Sequence, residues 1–438
     1  MKRFARNYSK LVGILITLTW VSSGIEIAGI ALFKWMLLGL CIVGMVYRGG
    51  VGKLRDTPFS FFIICILLSL VGSWIVPYID SSFVLGNVIN FMLIYISVTL
   101  ISTKDARLLF SFFEGIKISC VIQGIYCIIQ YIFRSLTSYS LNKMIFGDLL
   151  GIKDPTLDRV IINEGHIIEY GINAHPSVLI PVIIILLCFL ENKNVGIILS
   201  LAMVILSRNS TAGIAMVLCL ILPLVYKGGI ALKNNSFIVK RKSKFYKYLF
   251  VIITGILVLI ITGWGASLIE VMARTWSRIF ASGSRTDNST QTHILYYLTI
   301  PKAFRNMSFY NVIFGNGINS SGDVVTNMHI VLNLSKNWAI ESDPIDLLYG
   351  VGVVGTIVFY YWLIKRSIRS WKWNSYYYTF LFSIIICGVT YRIQYLWVVM
   401  FELVLFKLIS MNVDVLECSG VRRTKHRPLI VKKNAKFS

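Results

Sequence analysis

The sequence predicts an all-α polytopic membrane protein, one integral domain over residues 1–438 with about 12 transmembrane helices. Three observations predict it. Hydrophobic residues are 56% of the chain and charged ones only 14%, against about 45–50% and about 25% in a typical soluble domain. Mean hydropathy is +0.72, and the apolar residues fall in runs near the ~20 residues that a helix needs to cross a bilayer core. The 43 Lys and Arg residues outnumber the 20 Asp and Glu and lie mainly between those runs. Too little polar surface exists to coat a globule of this size. A soluble enzyme, a disordered chain and a disulfide scaffold are therefore excluded, and the basic excess points to the anionic inner leaflet rather than to nucleic acid.

In chain order the runs are 11–27, 30–47, 59–78, 83–102, 111–133, 176–191, 195–208, 211–227, 248–270, 344–364, 376–391 and 394–410. The N-terminus, Met1-Lys-Arg-Phe-Ala-Arg, enters the first run with no small-residue cleavage site, so that run is expected to stay as a helix. Pro176 opens the sixth. A turn at Arg208-Asn-Ser210-Thr211 separates the seventh from the eighth, and Ser210 or Thr211 can cap the helix after it. Pro344 suits the first helical position of the tenth, with Asp343 as its N-cap. Seven of the eight cysteines lie inside runs and Cys418 lies in the basic tail, which offers neither a disulfide framework nor a CxxC metal site.

Orientation comes from charge. With the N-terminus in the cytoplasm, the cytoplasmic segments carry 28 basic residues and the opposite side 12, the bias that topogenesis imposes. Both termini are then cytoplasmic, the tail 411–438 included. Two long loops, 134–175 and 270–343, face outward. No cytoplasmic loop exceeds Lys227–Lys247, too short for a nucleotide-binding domain. Chemistry is expected at the outer surface.

Several patterns carry none. Gly350-Val-Gly352-Val-Val-Gly355 fits GxGxxG but lies in a span instead of a βαβ unit, where glycine lets helices approach closely. No phosphate-binding GxxxxGK[ST] occurs, and no outward DxD that would chelate a metal-bound sugar nucleotide. No cofactor or metal is therefore expected, and activity should survive EDTA. Glu114 and Lys117 suit a local ion pair. Glu402 and Lys407 read as snorkelling or paired residues.

Three outward arginines oppose the positive-inside bias: Arg208, Arg285 in Ser284-Arg285-Thr-Asp287, and Arg392. Each reads either as a lipid-phosphate contact or structural ion pair, or as part of a site for a phosphorylated substrate, since guanidinium bonds phosphate bidentately. Glu341 stands just before the tenth span, as a candidate general base or a simple loop carboxylate. The outward histidines 166, 175, 293 and 329 match no zinc spacing.

Taken together, these motifs resemble the superfamily of bacterial O-antigen ligases and Wzy-type O-antigen and capsule polymerases. The correspondence runs through Gly171-Ile-Asn-Ala-His175-Pro176, Ser207-Arg208, the long outward loop with Ser284-Arg285 and Phe314-Gly315-Asn316-Gly317, and the acidic segment from Glu341 into Gly355. It covers most of residues 170–365. One departure stands out: many relatives carry a His-Asn pair before the tenth helix, where this chain has Glu341-Ser-Asp343. The resemblance implies a metal-independent membrane glycosyltransferase that polymerises undecaprenyl (polyprenyl)-pyrophosphate-linked oligosaccharide repeat units into O-antigen, capsule or exopolysaccharide. A ligase with another acceptor and a lipid-linked sugar transporter or flippase are the alternatives. It further implies pyrophosphate binding by Arg208, Arg285 and Arg392 and catalysis by Glu341 or His329. Membrane lipids, a chain-length regulator and a flippase would be its partners, and the bacterial cytoplasmic (inner) membrane its location.

Overall fold

In hydrocarbon every backbone N–H and C=O must be satisfied within the chain, so runs of this length fold as helices. The computed structural model is mostly helical and describes residues 2–48, 57–102, 106–152, 157, 161–163, 166–172, 175–233, 296–327, 340–371, 375–394 and 396–411. The expected run 248–270 lies outside the described residues.

The first element starts before its hydropathy does. α1 (Lys2–Leu15) takes in the basic N-terminal residues, because Ala5, Ser9, Val12 and Gly13 recur at helical spacing and are buried while Lys2 and Arg3 stay exposed. The helix then breaks, a short α2 (Thr19–Gly24) follows, and β1 (Glu26–Ile27) and β2 (Ile30–Ala31) form a tight antiparallel hairpin. The stretch 11–27 is thus not one helix, a correction to the sequence expectation. Thr17, Ala28 and Gly29 mark the breaks: Thr17 turns its hydroxyl to Ile14 O, and Ala28 and Gly29 have positive φ.

α3 (Leu32–Arg48), α4 (Thr57–Ile75), α5 (Ser81–Ile101) and α6 (Arg107–Thr137) follow. Asp80 caps α5, accepting from the Ser82 and Phe83 amides. The long segment after α6 holds a π-helical turn at Lys143–Leu149 and a second antiparallel hairpin, β3 (Ile161–Asn163) with β4 (His166–Ile168). The two hairpins qualify the purely helical expectation. Next come α7 (Pro176–Phe189), α8 (Lys193–Ser207) and α9 (Ser210–Lys233), then three short helices, α10 (Ile300–Asn306), α11 (Phe309–Phe314) and α12 (Ser321–Asn327). α13 (Asp343–Trp371), α14 (Ser375–Gly388) and α15 (Leu396–Ser410) complete the described chain.

Among the described residues, four helices are long and apolar enough to cross a membrane: Pro58–Ile75, Ser81–Ile101, Arg107–Thr137 and Asp343–Arg369. α3, α7, α8, α9 and α14 supply shorter apolar stretches. Phe61, Ile64, Ile125, Ile129, Ile132, Ile357 and Ile364 are exposed on α4, α6 and α13. Facing water, so much contiguous apolar surface would drive aggregation; facing acyl chains it costs nothing. Inside, Phe113, Phe189, Phe380 and Phe401 pack edge to face at 5.1–5.6 Å between centroids, or stacked, across α6, α7, α14 and α15.

Contacts fix the helix directions. Ser9 donates to Leu108 O and Gly13 abuts Phe112 and Gly115, so α1 and α6 run parallel. Phe59 meets Trp362 while Phe62 meets Phe359, so α4 and α13 run antiparallel. Polar anchors lie where they are affordable. Lys117 pairs with Glu114 at 2.6 Å and with Glu191 at 3.5 Å, as the spacing predicts. Glu402 does not snorkel: it is fully buried on α15 and accepts from Gln394 Nε2 at 3.2 Å.

The GxGxxG stretch has a different use from helix–helix approach. α13 is broken at Gly352, with φ 71° and ψ −177°. The break lets the Tyr349 and Gly350 carbonyls accept from the Asn316 and Gly317 amides, both at 2.9 Å. A Cβ on Gly352 would stand 2.3 Å from Ile313 O, and one on Gly315 would stand 2.2 Å from Gly350 O. The Phe314-Gly-Asn-Gly segment therefore docks backbone to backbone on the broken helix. Asn311 Nδ2 ties the same segment to Gly72 O on α4 at 3.0 Å.

Candidate functional site

His175 caps α7, its Nδ1 accepting the Ser177 amide at 3.2 Å with Pro176 behind it. A neutral ring that accepts at Nδ1 carries its proton on Nε2. That nitrogen lies 3.3 Å from Glu341 Oε1, with both side chains about 30% exposed. The imidazole thus donates to the carboxylate and orients it, across 166 residues of sequence. Tyr296 is buried alongside; burial first, and the Glu341 charge second, push its phenol up to about 12. It stays a neutral O–H beside the pair.

α13 begins at Asp343, one residue earlier than Pro344 alone suggests, with the Asp346 amide bonded to Ser342 O. Asp343 does not cap its own helix as expected. Its Oδ1 instead accepts the Ile393 and Gln394 amides at 2.9 and 3.0 Å, so a buried carboxylate pins the connection between α14 and α15. Gly388 leaves it room, since a Cβ there would meet Asp343 Oδ2 at 2.5 Å. Tyr297 donates to Val389 O at 2.8 Å and meets Ser342 Oγ at 3.0 Å, closing the same junction.

The pinned connection presents Arg392. Its Nε stands 3.1 Å from Asp346 Oδ2 and its Nη2 donates to Asn319 Oδ1. Asn319 donates in turn to Asn87 Oδ1 on α5 at 2.8 Å, and Ser321 donates to the other Asp346 oxygen. Of the two readings open for Arg392, an ion pair is therefore present, in a network that fixes the plane of the guanidinium.

Arg208 is the C-cap of α8, half-buried in left-handed backbone at φ 47°. The next residue, Asn209, caps α9 by accepting the Ala212 amide and donates to Tyr391 O–H at 3.0 Å, and Thr211 meets Thr390 at 3.2 Å. Arg208 and Arg392 thus flank one turn-to-turn contact. The start of α7, the α8–α9 turn, the start of α13 and the α14–α15 connection all come to one end of the bundle. Arg285, His293 and His329 lie outside the described residues.

Chain order hid His175, Asn319 and Asp346. His175 stands out in the sequence as one of four outward histidines and as the helix opener in Gly171-Ile-Asn-Ala-His-Pro, but no spacing pairs it with Glu341. Among the described residues no group of three His, Cys, Asp or Glu side chains could hold a metal ion.

No protein-family model matches this chain, and no curated protein matches it.

Proposed function

We propose that the chain is a glycosyltransferase of the bacterial cytoplasmic membrane that polymerises polyprenyl-pyrophosphate-linked oligosaccharide repeat units at the outer face. The observation that carries the reading is the convergence of Glu341 with His175, and of Arg208 with Arg392, from four separated parts of the chain onto one end of the helical bundle. The reading takes that end as outward and the chain as twelve spans with both termini cytoplasmic. The antiparallel and parallel contacts are what alternating spans require, and the basic residues favour the same orientation.

In the reaction, a hydroxyl of the acceptor's terminal sugar attacks the anomeric carbon of the donor chain. The new glycosidic C–O bond forms as the anomeric carbon–pyrophosphate bond breaks, and polyprenyl pyrophosphate leaves with the electron pair. Glu341, oriented by His175, takes the hydroxyl proton. Negative charge grows on the departing diphosphate, where preorganised guanidinium groups stabilise the transition state more than the ground state. Arg208 and Arg392 fill that role here, and Arg285 joins them in this reading. In this reading Glu341, rather than His329, is the base, and His175 is the group that orients it.

The test is reconstitution in proteoliposomes with a lipid-linked repeat unit. A ladder of products is expected. A single transfer to a different acceptor would make the protein a ligase, and transbilayer movement alone a flippase. Arg208→Ala or Arg392→Ala should cut turnover about 10²–10³-fold with insertion unchanged, and Lys should rescue poorly. Normal polymer from the double Ala variant would remove the proposal.

A further inference from the structure

A cavity of about 550 Å³ opens beside this centre, lined among others by Tyr78, Asp80, Ser81, Asp323, Thr326 and Asn327. It joins the turn between α4 and α5 to one wall of α12. The same short helix reaches the reacting groups from its other end. Ser321 accepts the Ile340 amide at 2.9 Å, next to Glu341, and donates to Asp346, the carboxylate that holds Arg392. Asn319, just before α12, touches Arg392 itself. Cavity and centre therefore share a wall.

Its chemistry is the reverse of its neighbour's. In a chain with a net charge of +23, the described residues that line the cavity offer two carboxylates and no cation. A diphosphate would be repelled there. Asp80 is engaged as the cap of α5, its Oδ1 accepting the Ser82 and Phe83 amides and the Ser82 hydroxyl, and among the described residues no group of three His, Cys, Asp or Glu could hold a metal ion. What remains is an array of carboxylate, amide and hydroxyl groups around one phenol. Burial, and Asp323 nearby, raise the Tyr78 phenol above its usual range, so it stays neutral. Such an array hydrogen-bonds vicinal hydroxyls and lays a flat ring against a sugar face. The volume falls within the ~300–1,000 Å³ range of small-ligand sites.

We infer that this cavity is a saccharide subsite, holding the terminal sugars of the acceptor while the arginines hold the donor's diphosphate. The inference rests on the polymerase reading for which sugar is bound, but not for whether sugar is bound. A neutral polyhydroxylated ligand in the cavity and an anionic one at the arginines would set an acceptor hydroxyl beside Glu341.

The full-length protein in nanodiscs, carrying Thr326→Cys and Cys418→Ser, tests it through the rate of maleimide labelling. The probe is the free oligosaccharide released by mild acid from the source cells' own lipid-linked repeat unit. Labelling should slow at saturating oligosaccharide, and Asp323→Asn should weaken that protection about tenfold, the effect of one lost hydrogen bond to a charged group. In proteoliposomes Asp323→Asn and Ser81→Ala should raise the acceptor KM about tenfold with kcat little changed. Should Asp323→Asn fail to fold, Ser81→Ala carries the test alone. Protection without any product ladder would keep the subsite and discard the polymerase. A normal ladder with no protection and unchanged KM would overturn the subsite alone. Protection by Ca²⁺ but not by oligosaccharide would also overturn it.

Discussion

At the scale of single residues, the pairing of His175 with Glu341 divides their labour. The backbone amide on Nδ1 leaves the imidazole as donor, so the carboxylate is the group able to accept a proton. Glu341→Gln keeps the size and the hydrogen bond but loses the base, and should lower turnover about 10²–10⁴-fold. His175→Gln keeps a donor and should cost less, mostly through misorientation. A time course of product ladders on the variants checks this; equal loss from both would mean that the ring itself moves the proton. Glu341 and the two arginines were legible from residue type and position outside the runs. Their neighbours were not. The need for Asp343, Asp346 and Asn319 arises only when the α14–α15 connection folds back onto α13, a contact between residues more than 40 positions apart.

Among elements, the junction of α13 with the 315–317 segment sets a strict spatial limit. Gly352→Ala forces both a left-handed backbone and a carbonyl clash at 2.3 Å. It should destabilise the folded protein by about 3 kcal/mol or more, seen as a lower melting midpoint in detergent. Ala at Gly86, where a Cβ would meet nothing within 4 Å, is the control and should leave the midpoint within a few degrees. A second junction is ionic. Arg134 and Glu169 are both buried, 2.7 Å apart, between α6 and the segment leading to α7. Glu169→Ala strands a buried guanidinium and should cost about 3–5 kcal/mol, whereas Arg134→Met with Glu169→Leu should cost far less. Burial outweighs the pull of Arg134 and lifts the Glu169 carboxyl to about 7. A raised carboxyl favours the folded state most below its ordinary range near 4.5 and loses that contribution as pH climbs to about 7. Glu169→Gln should flatten this pH dependence of the midpoint. Hydropathy located most helices within a few residues, because burial in lipid leaves a run little choice. It failed at 11–27, where amphipathic spacing starts the helix early and a break after Leu15 ends it, ahead of the short α2 and the hairpin.

For the molecule as a whole, the decisive quantity is which end of the bundle faces which side. Single cysteines at Ser81 and Lys193, at opposite ends of the described helices, should differ in reactivity toward an impermeant maleimide in intact cells, with Ser81→Cys labelled and Lys193→Cys protected. The reverse pattern would put the arginines in the cytosol and end the glycosyltransferase proposal. The glycine weld between the 315–317 segment and α13 bears on a different kind of experiment. In a tolerance map of every substitution, Gly315 and Gly352 should stand out as sharply as Glu341 or Arg392, although neither touches a substrate. Intolerance there would report crowding rather than chemistry, and only an assay that separates protein abundance from turnover would tell the two apart.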